Sequence, residues 1–465
     1  MSHTLAIVLW TVIVQTGLIT AILVTGYIVL VKQIHRRIEQ VFSDPYPQNL
    51  WEGVTGLKHV GLEQTIENEM RSANTEPLHK PLGSSRTFPH FEGLLFSPVQ
   101  LVKKSLADDV PVDIETKIGP HARRPLKLSM PIMISAMGYG VALSKSFSIA
   151  LARGTAMAGT AFNTGQGPVL KEHRDNAKFM VVQYHGAFWR PTVHQLGQAD
   201  MIEIRLGQGA NAGAGTVVKV TDLPPDVLAD FLATTHEMVD KPLKELVVPP
   251  GIPEIRTQSD LRQLIHHLRL AGHGVPIAVK LAASNYLETE MEMALRAGAD
   301  VIVIDGAQAG THGSPAILVD DFGLPTLAAL CRADDYLRLN RRRDHVSLVV
   351  SGRIRTPGDM LKALALGADA VYIASAALFA TAHKQVLKPL PFEPPTQIAW
   401  VNGTHASDFS IDEGADSLAR FLTSSSEELK SGIRALGKRS LREVDRSDLV
   451  AWDSEVARIT GLPLV

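Results

Sequence analysis

The chain has 465 residues, 45% of them apolar and 20% charged, with 36 glycines and 27 prolines scattered along it. That composition excludes disordered, collagenous and repeat-dominated classes. Its 46 basic and 48 acidic side chains leave a net charge of -2, so no bulk basic surface argues for nucleic acid, and a small-molecule substrate is expected. The single cysteine, Cys331, excludes an intramolecular disulfide framework and any metal or iron–sulfur site built from cysteines of these residues alone.

Residues 4 to 31, TLAIVLWTVIVQTGLITAILVTGYIVLV, carry no charge. As a helix they would extend about 42 Å, against a hydrocarbon core of roughly 30 Å, so a tilted single pass is expected. Trp10 and Tyr27 lie near its two ends, and Lys32, Arg36 and Arg37 follow at once while no Lys or Arg precedes. This asymmetry predicts a single-pass anchor in the cytoplasmic (inner) membrane with the globular part in the cytoplasm. A cleaved signal peptide would want a basic start and a shorter apolar run. The stretch KQIHRRIEQVF continues as a basic amphipathic segment toward a DPYPQN turn. Residues 1–40 are thus read as anchor and juxtamembrane stretch, and 41–125 as an irregular lead-in punctuated by proline.

From Met130 short β-rich runs recur, several followed by amphipathic helices, which is the pattern of parallel βα units. The runs are PIMISA (131–136), AMAGTA (156–161), FMVVQY (179–184), MIEIRL (201–206), PIAVKL (276–281), VIVIDG (301–306), SLVVSG (347–352) and AVYIAS (370–375). Eight of them predict an α/β fold, a TIM (β/α)8 barrel, over 126–381. Crossover helices are expected at 144–153, 259–271, 287–297, 326–339 and 357–366. An open doubly wound sheet would want Gly-x-Gly-x-x-Gly after its first strand, which is missing. Residues 209–257 form a long excursion after the fourth strand, and 382–465 a linker and helical tail.

Barrel active sites lie at strand C-termini, so the polar residues ending the runs are the candidates. They are Ser135, Asn163, Gln183, Arg205 with Gln208, Lys280, Asp305, Ser351 and Ser375. Lys280 and Arg205 sit in otherwise apolar runs, and a charge directed into a barrel needs a carboxylate, a phosphate or an anionic ligand. Internal pairing of Arg205 with Glu203 or Asp305 is the alternative. The junctions VVSGRIRTPGDM and YIASAAL place small residues before helix starts, which suits a phosphate, although tight structural turns look similar. A phosphate there and a cation at Lys280 fit one compact ligand such as flavin mononucleotide (FMN), with Lys280 beside the edge that becomes anionic on reduction.

The segments PIMISAMGYG, GTAFNTGQGP, MIEIRLGQGA, IAVKLA, VIVIDGAQAGTHGSP, VVSGRIRTPGD and ALALGADAVYIASAALFA, in that order, resemble the FMN-binding synthase barrel of glutamate synthases. The tail and the N-terminal anchor resemble the stand-alone, large-subunit-like branch of that family. The resemblance implies FMN contacts from Ser135, Ala136, Met137 and Gln183, with Lys280 at the pyrimidine edge. It implies a phosphate held at Ser351, Gly352 and Arg353 and at Ser375 and Ala376. Asn163, Gln166, Arg205, Gln208 and Asp305 would surround the substrate, and Lys280, Arg205 and His312 are the candidate catalytic residues. The implied chemistry is reduction of 2-iminoglutarate, formed from 2-oxoglutarate and ammonia, to L-glutamate.

Two departures limit what the resemblance carries. Full-length glutamate synthases have an amidotransferase domain with an N-terminal cysteine nucleophile and a three-cysteine iron–sulfur cluster after the eighth strand. Neither pattern occurs here, so no iron–sulfur cluster is expected, and an amino donor or ammonia, an electron donor, and an amidotransferase or reductase partner are left outside these residues. In the pocket, Gln166 stands where the family pattern has glutamate, and Arg205 and Asn211 where it has lysine. His312, in QAGTHGSP, is a candidate general acid or else a loop histidine making a structural bond. The histidines show no metal-ligand spacing. Hydroxy-acid oxidation by a similar flavin barrel is weaker, because HGSP lacks the arginine of that chemistry. A membrane-tethered flavin-binding scaffold is the reading from a different class.

Overall fold

Period-two alternation in eight short runs builds the centre of the molecule. The computed structural model describes residues 3–43, 49–233 and 243–465. Its eight parallel strands are β1 (Ile132–Ile134), β2 (Ala161–Asn163), β3 (Phe179–Tyr184), β4 (Met201–Arg205), β5 (Ile277–Ala282), β6 (Val301–Asp305), β7 (Ser347–Ser351) and β8 (Ala370–Ile373). They form one sheet in the order β1-β8-β7-β6-β5-β4-β3-β2. Where β2 meets β1 the Thr160 hydroxyl donates to the Ile132 carbonyl, so the sheet curls into the expected barrel. One parity, including Ile134, Phe162, Val182, Ile204, Val279 and Ile304, packs outward with the helices. The other, including Met133, Ala161, Val181, Met201, Ala278, Val303, Val349 and Tyr372, fills the interior. A hairpin of Thr116–Ile118 and Leu126–Leu128 adds Ile118, Leu126 and Leu128 to that interior cluster and closes its N-terminal end.

The crossover helices fall close to the amphipathic patterns. They are α1 (Lys145–Ala158), α2 (Lys171–Asn176), α3 (Val193–Gly197), α4 (Gln258–Ala271), α5 (Leu287–Ala297), α6 (Thr326–Leu339), α7 (Pro357–Ala365) and α8 (Ser375–Ala382). Ser144 caps α1 through the Phe147 N–H, and Thr356 caps α7 with Pro357 at its first position. One run is corrected: AMAGTA is not the second strand. Its residues 156–158 end α1, Gly159 at φ +75° caps the helix, and the strand is Ala161–Asn163. Small residues without β-branching extend a helix readily, and the glycine then permits the left-handed stop.

Two additions cover one side of the barrel. The excursion after β4 folds as an antiparallel hairpin, Thr216–Lys219 with Glu245–Val248, around a helix at Pro225–Ala233. Its Phe231, Leu246 and Val248 share a core cluster with Tyr139, Trp189 and Val401. Behind β8, the tail carries a long helix, α9 (Ile411–Ala435), lying on α1. The helices approach so closely that a side chain on Gly154 would stand 2.8 Å from the Ala415 carbonyl oxygen.

The chain divides after Leu78 into two compact units. The first contains helices His3–Ser43, Asn49–Val60 and Leu62–Ala73, while the DPYPQN turn falls almost wholly outside the described residues. Among the described residues one helix, over Ile7–Gln40, is long and apolar enough to cross a membrane, and none of it is buried.

Two histidines of the second unit are fully buried and neutral. His173 accepts from the Leu170 N–H at 3.2 Å through Nδ1 and lies 3.1 Å from the Ser148 hydroxyl, and burial pushes its pKa down to about 4. Burial, with the Arg205 and Arg190 cations, pushes His185 to about 3. An unfolded histidine titrates near 6.5, so the unfolded chain binds more protons and stability falls as pH drops below that value. The loss at pH 4.5 is expected to be about 2–3 kcal/mol per histidine. Urea unfolding of detergent-solubilised protein at several pH values checks this. His173→Gln should reduce the slope between pH 6 and 4.5 by about 1 kcal/mol per pH unit, whereas an unchanged slope would mean that His173 is not held neutral.

Candidate active site

Strand parity delivers the site. The strand-end residues Ser135, Asn163, Gln183, Arg205, Lys280, Asp305 and Ser351 all share the inward parity of their strands, so seven of the expected side chains converge above the aliphatic floor. Ser375 follows β8 as the first residue of α8. Below this ring lies a residue that sequence inspection treated only as a pairing alternative. Glu203 is fully buried and accepts from Asn163 Nδ2 at 3.0 Å and Gln183 Nε2 at 2.7 Å. Asn163 Nδ2 also donates to the Tyr372 hydroxyl at 3.2 Å, and burial with the nearby Glu203 carboxylate drives that hydroxyl well above its ordinary pKa. Inward parity in MIEIRL and AVYIAS was the signal that could have found Glu203 and Tyr372.

The charges divide unevenly. Asp305 accepts from the Gly209 N–H at 2.9 Å and from the Ser351 hydroxyl, so it ties the loop after β4 to β7. Lys280 is buried, and its ammonium lies 3.6 Å from Asp305, an ion pair longer than a hydrogen bond. Arg205 meets neither expected carboxylate. Its Nη2 donates to the Ala214 carbonyl at 2.9 Å and its Nη1 to the Pro249 carbonyl at 3.3 Å, while Nε has no partner among the described residues. Burial lowers its pKa to about 10, opposed by the more distant Asp305. A buried guanidinium held only by carbonyl dipoles is a cation awaiting an anion.

Glycines bring the first two loops together. A side chain on Gly165, at φ +64°, would stand 2.5 Å from the Gly138 nitrogen, and one on Gly167 only 1.8 Å from the Tyr139 carbonyl oxygen. The half-exposed Ala136 and Met137 therefore lie beside the NTGQG loop. Within that loop Gln166 Nε2 donates to Gln208 Oε1 at 2.8 Å, and the Trp189 indole donates to the Gln166 carbonyl at 2.7 Å. Asn211 is buried with its Oδ1 unpaired among the described residues.

Both phosphate candidates lie on the same side. Gly352 has φ +130° and packs on Thr326, and Arg353 follows with φ +55°. No side chain caps α8 at Ser375, which leaves the N–H groups of its first turn for an anion, and Gly310 approaches Ser375 so closely that a side chain there would stand 3.2 Å from the hydroxyl. His90, from the lead-in, lies 3.4 Å from the Gly352 carbonyl oxygen through Nε2, with its Nδ1 unpaired among the described residues. Nothing in the run around His90 announces this, because the contact joins segments 262 residues apart. His312 sits in the loop after β6, its ring edge-to-face with Trp400 at 4.7 Å, and burial lowers its pKa. Cys331 is buried in α6, and burial raises its thiol to about 12, so it offers no ready nucleophile or metal ligand.

The donor set fits FMN. The unpaired Gln183 Oε1 is an acceptor for a flavin N–H, Lys280 a cationic donor for a flavin carbonyl, and the uncapped α8 with Gly352 a seat for a phosphate.

Residues 96–439 match the family described as the conserved region in glutamate synthase. A glutamate synthase large subunit-like protein of Rhizobium meliloti is 31% identical over 413 residues, spanning 82% of this chain and 89% of its own. An archaeal-type glutamate synthase (NADPH) of Thermotoga maritima is 37% identical over 273 residues, 58% of this chain and 51% of its own, so the chain spans about half the length of such relatives. Among solved structures, a mutant flavocytochrome b2 with pyruvate bound superposes with a TM-score of 0.50 at 16% identity, covering 80% of each chain. A mandelate oxidase mutant with benzaldehyde gives 0.51 at 16% identity, covering 83% of this chain and 93% of its own. Those two likenesses show the barrel fold. With the family region running through the barrel and into the tail, and a relative matched along most of both chains, the protein belongs to the glutamate synthase family.

Proposed function

We propose that the chain is a membrane-anchored, FMN-dependent oxidoreductase of the glutamate synthase type that reduces 2-iminoglutarate or a related imine to an amino acid. The observation that carries this reading is the inward ring above the aliphatic floor, in which Gln183 Oε1 and Arg205 Nε have no partners among the described residues and Lys280 holds a buried cation. Ser135, Ala136, Met137 and Gln183 would hold the isoalloxazine, and Ser351, Gly352, Arg353, Ser375 and Ala376 the phosphate.

FMN, when bound and reduced, supplies a hydride to the imine carbon. Every other task falls to side chains. Lys280 places a positive charge where negative charge develops, and Asp305 holds that ammonium while fixing Gly209 and Ser351. Arg205 offers a charge-assisted bond to a substrate carboxylate. Gln166 and Gln208 bridge the loops after β2 and β4 and orient the rest of the substrate. The imine nitrogen needs a proton, and His312 is the candidate beside it. Because burial favours its neutral imidazole, His312 would hydrogen-bond to that nitrogen through a ring N–H and orient it, while the proton itself comes from solvent. Ammonia and reducing equivalents arrive from partners outside these residues.

Purification in mild detergent is expected to give a yellow protein with an FMN absorbance spectrum and no iron. Lys280→Met should weaken FMN binding or slow its reduction with the circular dichroism unchanged. A protein that cannot be reconstituted with FMN would refute the cofactor assignment, and unaltered redox behaviour in the variant would make Lys280 a structural partner of Asp305.

Loss of a charge-assisted contact costs about 1.5–3 kcal/mol, so Arg205→Gln should raise the Michaelis constant for the oxo acid by about tenfold or more in protein that stays yellow. Arg205→Lys should recover part of it, keeping the charge without the fork. Unfolding or flavin loss without a selective effect on oxo-acid affinity would instead assign Arg205 to holding the Ala214 and Pro249 loops.

For the anchor, a reporter fused after Val465 should signal from the cytoplasm, and deletion of residues 1–31 should release FMN-binding protein from the membrane fraction. A periplasmic signal would reverse the orientation read from Lys32, Arg36 and Arg37.

A further inference from the structure

We propose that Trp400, carried by the segment behind the barrel, is a positioning residue that holds the His312 loop over the barrel mouth. The inference rests on the reading that this loop faces the reacting imine. His312 follows β6 and Leu143 follows β1, and β7 and β8 separate those two strands in the sheet. Trp400 touches both loops. Its backbone bridges Leu143 in antiparallel fashion, with the Ser144 N–H donating to the Ala399 carbonyl and the Val401 N–H to the Ala142 carbonyl, each at 2.9 Å. Its ring meets the His312 imidazole edge-to-face, with centroids 4.7 Å apart and planes at 79°. The turn that presents it is rigid. The Trp400 N–H donates to the Thr396 carbonyl at 3.0 Å, and a side chain on Gly403 would stand 2.0 Å from the Gln397 carbonyl oxygen.

The loop's backbone is tied to the lead-in, where His79 and Lys80 pair with Pro315 and Ser314 and the Leu82 N–H donates to the Thr311 carbonyl at 2.8 Å, but the His312 ring makes no hydrogen bond among the described residues and packs on the indole. Lengthwise, the barrel does not need this contact: the tail is already fastened by α9 on α1. Trp400 joins two active-site loops that no strand pairing joins, and an edge-to-face aromatic contact is strong enough to change a local opening equilibrium by about tenfold.

Chemical labelling of histidines with diethyl pyrocarbonate, read residue by residue by mass spectrometry on the full chain in detergent, tests the idea without depending on turnover. Trp400→Ala should speed labelling of His312 by about five- to tenfold, and Trp400→Phe, which keeps an aromatic edge, should stay close to the unsubstituted protein. His173 and His185, both fully buried, serve as internal controls and should not change. Labelling of His312 within twofold in both variants, or a parallel rise at His173 and His185, would overturn the proposal, the second outcome marking a general loosening. Activity separates this inference from the functional reading. A fall in kcat/KM for the oxo acid in Trp400→Ala, with FMN affinity retained, is expected. Faster labelling with unchanged kcat/KM would keep Trp400 as the residue that positions the loop and remove His312 from the reaction.

Discussion

Four charged side chains, Glu203, Arg205, Lys280 and Asp305, point into one barrel among uncharged polar strand ends and above an apolar floor, and the rest of the site follows from how their charges are settled. Burying a charge is tolerable only when dipoles or an opposite charge surround it. Glu203 accepts from two amides on Oε1, which fixes the rotamers of Asn163 and Gln183, while its buried Oε2 has no partner among the described residues. Asp305 is settled by a backbone N–H and a hydroxyl, and it thereby ties the loop after β4 to the ends of β6 and β7. The cations are less well served. Lys280 has a carboxylate at ion-pair but not hydrogen-bond distance, and Arg205 has only carbonyls. The four charges sum to zero, but the Arg205 guanidinium has no carboxylate partner and the Lys280 ammonium has one only at 3.6 Å, which leaves both cations able to bind an anionic cofactor or a carboxylate substrate.

Much of this was legible in the chain because a barrel strand writes its parity directly into sequence. MIEIRL, IAVKL and VIVID each carry a polar residue at the end of an inward-facing series, and both the eight-strand architecture and most of the ring could be read from them. The second strand was misplaced because AMAGTA lacks the β-branched residues that mark a strand, and the helix runs through it to Gly159. Glu203 was visible but undervalued. Adjacency in parity suggested a pair with Arg205, whereas the side chain turns to the amides of the neighbouring strands β2 and β3.

What sequence reading missed came from outside the repeating βα units. His90 reaches Gly352 from the lead-in, and Trp400 reaches His312 from the tail. Neither has a periodic relation to the barrel, and long-range side-chain contacts of irregular segments leave no local pattern. The same holds for Arg205, whose carbonyl partners lie in the excursion after β4. Gln166 and Asn211 stand where the resemblance implies charged side chains. Both side chains are buried, and each leaves an unpaired carbonyl oxygen among the described residues.

The most direct test of the central claim, that the barrel mouth is a flavin site with two incompletely paired cations, is an experimental structure of the full chain in detergent after incubation with FMN. The phosphate is expected between the Gly352 junction and the N-terminus of the Ser375–Ala382 helix, with the isoalloxazine edge against Lys280 and Gln183. FMN density elsewhere, or none at saturating concentration, would contradict it.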